Sequence, residues 1–296
     1  MVDDQNDMQR RYEGMYEDDE NVSHPDDEPE YAEGDDAPAV FYWEDSPDVQ
    51  FSDIGGYGKV KQELIKKVIN PVQNDTSHLY ERFDVEPAKG IIFHGPPGTG
   101  KTMFARALAN NLDRDYIELS QADLTHNWIN KSSQMIKELF IQANERHAVV
   151  FIDEAEMLFA DRSNDHGHNE DKKVTNTFLR YLTLEDTNFF VILATNMRDS
   201  MDNAATRSGR IDLEFEIGLP NKKARLKIVR LELQGVPNDL TTSEMQSIAD
   251  HTEDLSGADI VAIVTNAKFV AIDRQAEKMK FSDFQQGYKD FKSAKG

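Results

Sequence analysis

Residues 90–102 run Gly90-Ile91-Ile92-Phe93-His94-Gly95-Pro96-Pro97-Gly98-Thr99-Gly100-Lys101-Thr102, and the reading of this stretch decides the fold. Gly90–His94 is predicted as a strand, and the residues from Lys101 to Asn111 carry a helical pattern. Between them, the glycines let backbone N–H groups curl around an anion, and the start of the helix adds positive potential. Strand, glycine-rich loop and helix in that order separate a phosphate-binding loop from an ordinary glycine-rich turn. Lys101 is then expected to neutralise the β- and γ-phosphates of a nucleotide, and Thr102 to ligate Mg²⁺. Pro97, Gly98, Thr99, Gly100 and Met103 complete the group expected around the phosphates.

Val149-Val150-Phe151-Ile152 delivers Asp153 and Glu154 at the carboxyl end of a second buried strand, where ligands of open α/β sheets sit. Asp153 suits Mg²⁺ through its water shell. Glu154 can polarise an attacking water, which separates hydrolysis from mere nucleotide binding. A solvated pair of carboxylates is the alternative, and the preceding strand and upstream phosphate loop weigh against it.

From about Asp48 onward, short apolar runs alternate with helical patterns, as in a parallel sheet with crossover helices. The expected strands are Gly90–His94, Tyr116–Leu119, Val149–Ile152, Phe189–Ala194 and Phe215–Gly218. Lys101–Asn111, Ser132–His147 and Val174–Leu184 are the expected helices between them. After Leu219-Pro220 the pattern turns wholly helical, with Asn221–Leu233, Thr242–His251, Gly257–Glu277 and Ser282–Lys292 as helices. The expected fold is therefore an α/β P-loop NTPase with a five-stranded parallel sheet flanked by helices, followed by a small all-helical domain. Its boundaries are read as an acidic tail at 1–47, the nucleotide-binding domain at 48–218 and the helical domain at 219–296.

The 296 residues carry a formal net charge of -22, and 18 Asp/Glu against Arg10 and Arg11 place about -16 of it in residues 1–48. That tail is also poor in apolar residues, so it is expected to be disordered. It would repel DNA, RNA and anionic lipid, which argues against a nucleic-acid partner and leaves basic proteins possible. Client recruitment, solubility and adaptation to high salt all remain open as its purpose. Phe41-Tyr42-Trp43 has two readings, packing onto the folded domain or docking a partner. There is no cysteine, hence no disulfide and no thiolate metal site. Apolar runs are too short for a bilayer and no basic-then-apolar leader pattern is present, so a cytoplasmic protein without membrane association is expected.

With these motifs in hand, residues 51–292 resemble an AAA ATPase of the AAA+ superfamily, of the kind found in proteasome-activating nucleotidases and valosin-containing protein. Phe51-Ser-Asp-Ile-Gly-Gly56 resembles the segment that receives adenine, which implies backbone contacts around Ile54 and Gly55. Ala194-Thr195-Asn196 resembles sensor 1, which gives Asn196 the γ-phosphate or the attacking water. Ala204–Asp212 resembles the second region of homology, which makes Arg207 and Arg210 arginine fingers acting on a neighbour's nucleotide. Ser256-Gly-Ala-Asp-Ile260 resembles the lid segment, so Gly257 and Ala258 are expected to close over adenine and ribose. The resemblance implies ATP and Mg²⁺ as cofactors and a homo-oligomeric ring, normally a hexamer. It also places Trp128 and Ile129 in a pore loop that grips extended protein clients; a Trp packed beneath a helix cap is the alternative.

The chain departs from the pattern at several points. Asn130 stands where the pore loop has glycine, Asn176 where arginine is frequent, and Leu213 where a basic residue is frequent. His166 and His168, two apart without carboxylates to join them, make a poor zinc site. Lys292–Gly296 lacks the hydrophobic–tyrosine ending by which proteasomal ATPases dock, so direct proteasome docking through the C-terminus is not expected. The leading expectation is ATP hydrolysis coupled to protein unfolding, translocation or remodelling. The alternative is an ATP-gated assembly factor or scaffold that switches partners without threading. A guanine-nucleotide switch is disfavoured, because Asn196–Asp199 lacks the lysine of the guanine-specificity motif.

Overall fold

The computed structural model describes residues 41–73, 77–120, 123, 132–156, 169–184, 187–197, 211 and 213–295. α1 (Gly58–Leu64) runs through a π-helical turn (Ile65–Ile69) into α2 (Asn70–Gln73), and α3 (Ser77–Arg82) follows. Strands and helices then alternate: β1 (Gly90–His94), α4 (Lys101–Leu112), β2 (Tyr116–Leu119), α5 (Ser132–Glu145) and β3 (Val149–Ile152). After α6 (Asn169–Leu182) come β4 (Phe190–Thr195) and β5 (Leu213–Glu216).

The five strands form one sheet in the order β2-β3-β4-β1-β5, with every neighbouring pair parallel. β3 and β4 are buried along their whole length, which is why they read as unbroken apolar runs. Because the strands are parallel, the loops after β1, β3 and β4 leave the same edge. The register fixes their heights: His94 pairs with Thr195 and Ile152 with Leu193. Three more hydrogen bonds continue past the ladder, from the amides of Gly95 to Thr195 O (3.2 Å), Ala155 to Ala194 O (2.8 Å) and Asp153 to Leu119 O (3.1 Å). The three candidate loops are thus tied together by backbone.

Two strand boundaries differ from expectation. β4 begins one residue late because Phe189 turns into an aromatic cluster, 4.9 Å from the Phe140 ring centroid. β5 begins two residues early: Leu213-Glu-Phe-Glu alternates along an edge strand, a weaker signal than the apolar Ile217 beside it. Phe41–Pro47, assigned by sequence to the acidic tail, lies on the edge of β2. Glu44 exchanges two 2.8 Å backbone hydrogen bonds with Tyr116, and the Trp43 indole N–H donates to Gln142 Oε1 (3.1 Å). Of the three aromatics only Tyr42 is strongly exposed, so packing is the reading the structure supports.

The helical part comprises α7 (Lys222–Glu232), α8 (Thr242–His251), α9 (Gly257–Asp273) and α10 (Phe281–Lys295). Asn221 caps α7 through its side chain, and capping boxes open α8 (Thr241/Glu244) and α9 (Ser256/Asp259). α9 stops at Asp273, earlier than expected, and Gln275 beyond it takes a left-handed φ of 54° that no helix continues. Its own core joins Val229, Ile248, Ile260, Val264, Phe284 and Phe291. α9 and α10 approach closely at Gly287, where a Cβ would lie 2.6 Å from the Ala267 nitrogen. Among the described residues, no helix is long and apolar enough to cross a membrane.

Candidate nucleotide site

The loop after β1 is built on backbone conformations that glycine permits, with φ of 73° at Gly98 and 98° at Gly100. Thr99 is buried and its hydroxyl donates to Pro96 O (2.9 Å), bracing the turn from inside. Lys101 opens α4 and folds back under the loop. Its ammonium donates to Gly95 O (2.9 Å), Pro96 O (3.0 Å) and Asn196 Oδ1 (2.7 Å), so strands β1 and β4 meet through one cation. Burial pulls the Lys101 pKa below the ordinary lysine range, and the carboxylates of Asp153 and Glu156 oppose that pull. Thr102 is half-buried on the same first turn. Pro97 and Met103 are exposed on either side of it.

Asp153 and Glu154 leave β3 in a tight turn. Asp153 Oδ1 accepts the Glu154 N–H (2.9 Å), which holds Glu154 at a left-handed φ of 53° with its side chain exposed. Such a conformation in a non-glycine residue costs of order 1 kcal/mol or more and is characteristic of functional sites. Two residues further, Glu156 Oε2 is buried and finds no hydrogen-bond partner among the described residues.

The helical part closes on this loop directly. The Ala258 N–H donates to Gly98 O (3.0 Å), and a Cβ on Gly98 would stand 2.7 Å from Ser256 Oγ. Ile54 is buried, and the segment around it backs onto α7. A Cβ on Gly55 would fall 2.5 Å from Ile228 Cγ1, and one on Gly56 2.2 Å from Ala224 Cβ. A Cβ on Gly257 would lie 3.8 Å from the same Ile228 side chain and 3.3 Å from Gly98 O, so Gly55 and Gly257 share the Ile228 wall and Gly257 also borders the phosphate loop. Beneath them, the Lys61 ammonium donates to Phe51 O and Ile54 O, both at 2.6 Å. Burial, with Lys227 adding to it and Asp53 opposing, pushes the Lys61 pKa down to about 8. Tyr57 donates its hydroxyl to Gly218 O (2.8 Å), and burial raises its pKa to about 12.

The geometry thus brings together Ile54, Gly55, Gly98, Lys101, Asp153, Glu154, Asn196, Gly257 and Ala258 at one end of the sheet. Arg207, Arg210, Trp128 and Ile129 lie outside the described residues, as do His166 and His168. Sequence reading passed over Ile228, Lys61, Tyr57 and Glu156. Ile228 looks like any apolar position on an amphipathic helix, whereas Glu156, three residues past Asp153, was open to notice.

The chemistry of this donor set fits a magnesium-bound nucleotide. Lys101 points three N–H groups at oxygens, two of them backbone carbonyls that a phosphate can replace. Thr102 and Asp153 supply the oxygen donors a hard cation prefers. The apolar backing of Ile54 and Ile228 beside exposed loop backbone suits the face of a base.

Residues 91–219 match the family described as ATPase family associated with various cellular activities (AAA), and residues 243–286 match the AAA+ lid domain. The chain belongs to the AAA ATPase family. Among curated relatives of this AAA chain, the proteasome-activating nucleotidase of Methanopyrus kandleri is 35% identical over 81% of the chain and 56% of its own length. The 26S proteasome regulatory subunit 8 homolog of Schizosaccharomyces pombe is 34% identical over 81% of the chain and 60% of its own length. The chain therefore spans less than two thirds of the length of these relatives. The crystal structure of the FIGL-1 AAA domain in complex with ADP superposes with a TM-score of 0.70 at 26% identity, covering 84% of this chain and 86% of that one.

Proposed function

We propose that this AAA chain binds ATP with Mg²⁺ and hydrolyses it as one subunit of a hexameric ring that unfolds, translocates or remodels protein clients. The observation that carries the reading is the 2.7 Å contact of Lys101 with Asn196, beside the Asp153-Glu154 turn and under the Ala258 N–H that reaches Gly98. ATP supplies the phosphoanhydride bond, and its Mg²⁺, held by Thr102 and Asp153, supplies charge neutralisation at the phosphates. Lys101 exchanges its carbonyl partners for phosphate oxygens. Asn196, already hydrogen-bonded to Lys101, orients the γ-phosphate end of the site, and Glu154 takes the proton of the attacking water. Gly257 and Ala258 close the base side and exclude solvent.

Arg207 and Arg210 are assigned to the neighbouring subunit's site, which makes the ring the working unit. Trp128 and Ile129 are assigned to client contact in the pore. The names of the relatives, a proteasome-activating nucleotidase and a proteasome regulatory subunit, support protein clients. Docking to a protease through the C-terminus is not part of the proposal. An AAA+ large domain at 48–218 and a lid at 219–296 are the proposed division.

The test is the mass of the Glu154→Gln variant with and without ATP, alongside phosphate release by the wild type. Nucleotide-dependent growth to a hexamer together with loss of turnover in the variant supports the proposal; ATP-independent mass or retained turnover overturns it. Trp128→Ala then separates threading, which it should abolish, from a scaffold that switches partners, which it should spare.

A further inference from the structure

The capping box of α9 does more than start a helix. Ser256 and Ala258, on either side of Gly257, are the lid residues that meet Gly98, and the carboxylate of Asp259 holds the first of them. Asp259 Oδ2 accepts the Ser256 N–H (3.0 Å), while Ser256 Oγ accepts the Asp259 N–H (3.2 Å). The second carboxylate oxygen is committed elsewhere. It accepts a 2.6 Å hydrogen bond from the ammonium of Lys295, 36 residues away in the last turn of α10.

This contact follows from the antiparallel packing of α9 and α10 around Gly287, which carries the end of one helix to the start of the other. Lys295 also lies 4.9 Å from the Phe291 ring centroid, so its stem is laid along α10 toward Asp259. The pair is lopsided: the Lys295 side chain is 59% exposed and that of Asp259 only 18%. The carboxylate that orders the lid segment is thus held from the outside by a cation that solvent, salt or a partner can reach.

We propose that Lys295 is a positioning residue for the nucleotide site, acting through Asp259 on the Ser256–Ala258 segment that contacts the phosphate loop. The inference rests on the reading of this site as a nucleotide site. Release of Lys295 leaves Asp259 to its helix cap alone, and the segment that presents Ser256 Oγ and the Ala258 N–H to Gly98 loosens. The effect falls on how firmly nucleotide is held and leaves the hydrolytic groups on the sheet untouched.

The experiment titrates the full chain with a fluorescent N-methylanthraniloyl derivative of ADP, comparing wild type, Lys295→Gln, Lys295→Arg and Asp259→Asn. The wild type measures the underlying reading: if it fails to bind the probe in a Lys101-dependent way, the site assignment fails and not the inference alone. Given binding, Lys295→Gln is expected to weaken affinity about two- to fivefold, the range open to a largely exposed charge pair. Lys295→Arg should restore it, and raising KCl to about 0.5 M should bring wild type down toward the variant. In ATP turnover, KM should rise with kcat held, and the thermal midpoint without nucleotide should stay within about a degree. Affinity unchanged in Lys295→Gln, or lost equally in Lys295→Arg, overturns the proposal. So does a loss that tracks a lowered thermal midpoint, because that outcome reports a damaged lid core and not a positioned segment.

Discussion

Two glycines of the same loop make a controlled experiment. Gly98 and Gly100 both carry positive φ, at 73° and 98°, so alanine at either position strains the backbone by about 1–2 kcal/mol. Their surroundings differ. A Cβ on Gly98 would meet Ser256 Oγ at 2.7 Å, Ala258 Cβ at 3.0 Å and Ser256 Cβ at 3.3 Å, whereas a Cβ on Gly100 would meet nothing within 4 Å. Gly98→Ala therefore adds a steric term against the lid of about 1–3 kcal/mol, the usual range for overpacking. The lid can yield more easily than the loop, because Ser256 and Ala258 stand at a helix start. The expected result is a Gly98→Ala chain that is folded but whose lid segment has left the loop. Amide hydrogen exchange at Ala258, which donates to Gly98 O at 3.0 Å, reads this directly and should rise about tenfold or more in Gly98→Ala. In Gly100→Ala that amide should keep its protection although nucleotide binding weakens. Equal exchange at Ala258 in the two variants would refute the claim that the lid rests on the phosphate loop.

Further outcomes follow from the same geometry. Glu154→Gln should lower the hydrolysis rate about 10²–10⁴-fold while retaining nucleotide, measured by phosphate release against fluorescent-nucleotide titration. Asn196→Ala removes one of three acceptors of the buried Lys101 ammonium, so nucleotide-free stability in urea should fall by about 1 kcal/mol and turnover should drop as well. Ile228→Ala should weaken nucleotide affinity by opening the wall shared by Gly55 and Gly257, and should leave Ala258 exchange near wild type. For Lys61 the sign is set by its depressed pKa of about 8. Between pH 8 and the ordinary lysine range near 10.4 the unfolded chain holds more protons than the folded one, so its contribution to stability rises with pH across that window. Lys61→Met should flatten that rise in urea titrations at pH 7.5–10.

Much of the sheet was legible because its inner strands β1, β3 and β4 are buried nearly end to end. The expected bounds of β1, β2 and β3 match to the residue: β1 and β3 are apolar runs bounded by polar turns, and β2 keeps three buried positions around the exposed Glu118. β5 slipped by two because an edge strand with Glu214 and Glu216 facing out alternates, while the apolar Ile217 that attracted the reading hydrogen-bonds to His94 O just past the ladder. The helix from Gly58 escaped although Val60, Leu64 and Val68 lie four apart, a helical stripe, and Pro71 within it reads as a break. In the structure the chain passes through a π-helical turn just before Pro71, which lacks the N–H a regular helix would need there. The phosphate loop, Asp153, Glu154 and Asn196 could be named because each ends a strand. The contacts that join them to the lid could not, because Gly98 and Ala258 are 160 residues apart and their approach depends on how two cores dock.

That docking explains where the site's glycines stand. Gly55, Gly56 and Gly98 face α7 or the start of α9, and at each an added methyl would fall 2.2–2.7 Å from an atom of the helical part. They are glycines for want of room, and Gly56 and Gly98 for their φ of 85° and 73° as well. The α/β part and the helical part thus meet across a seam of missing side chains, and the nucleotide reading puts the base and phosphates on that seam. A ligand there touches both parts at once, so its binding energy depends on their relative position to within a methyl group. Conversely, anything that shifts α7 or the start of α9 alters how firmly nucleotide is held. The groups proposed to hydrolyse, Asp153, Glu154 and Asn196, stand at the ends of β3 and β4, where backbone hydrogen bonds within the sheet tie the loops together. On the proposed function, the chemistry therefore rests on groups at the end of the sheet and affinity on the seam with the helical part, so a shift of that part changes affinity without dismantling the groups proposed to cleave.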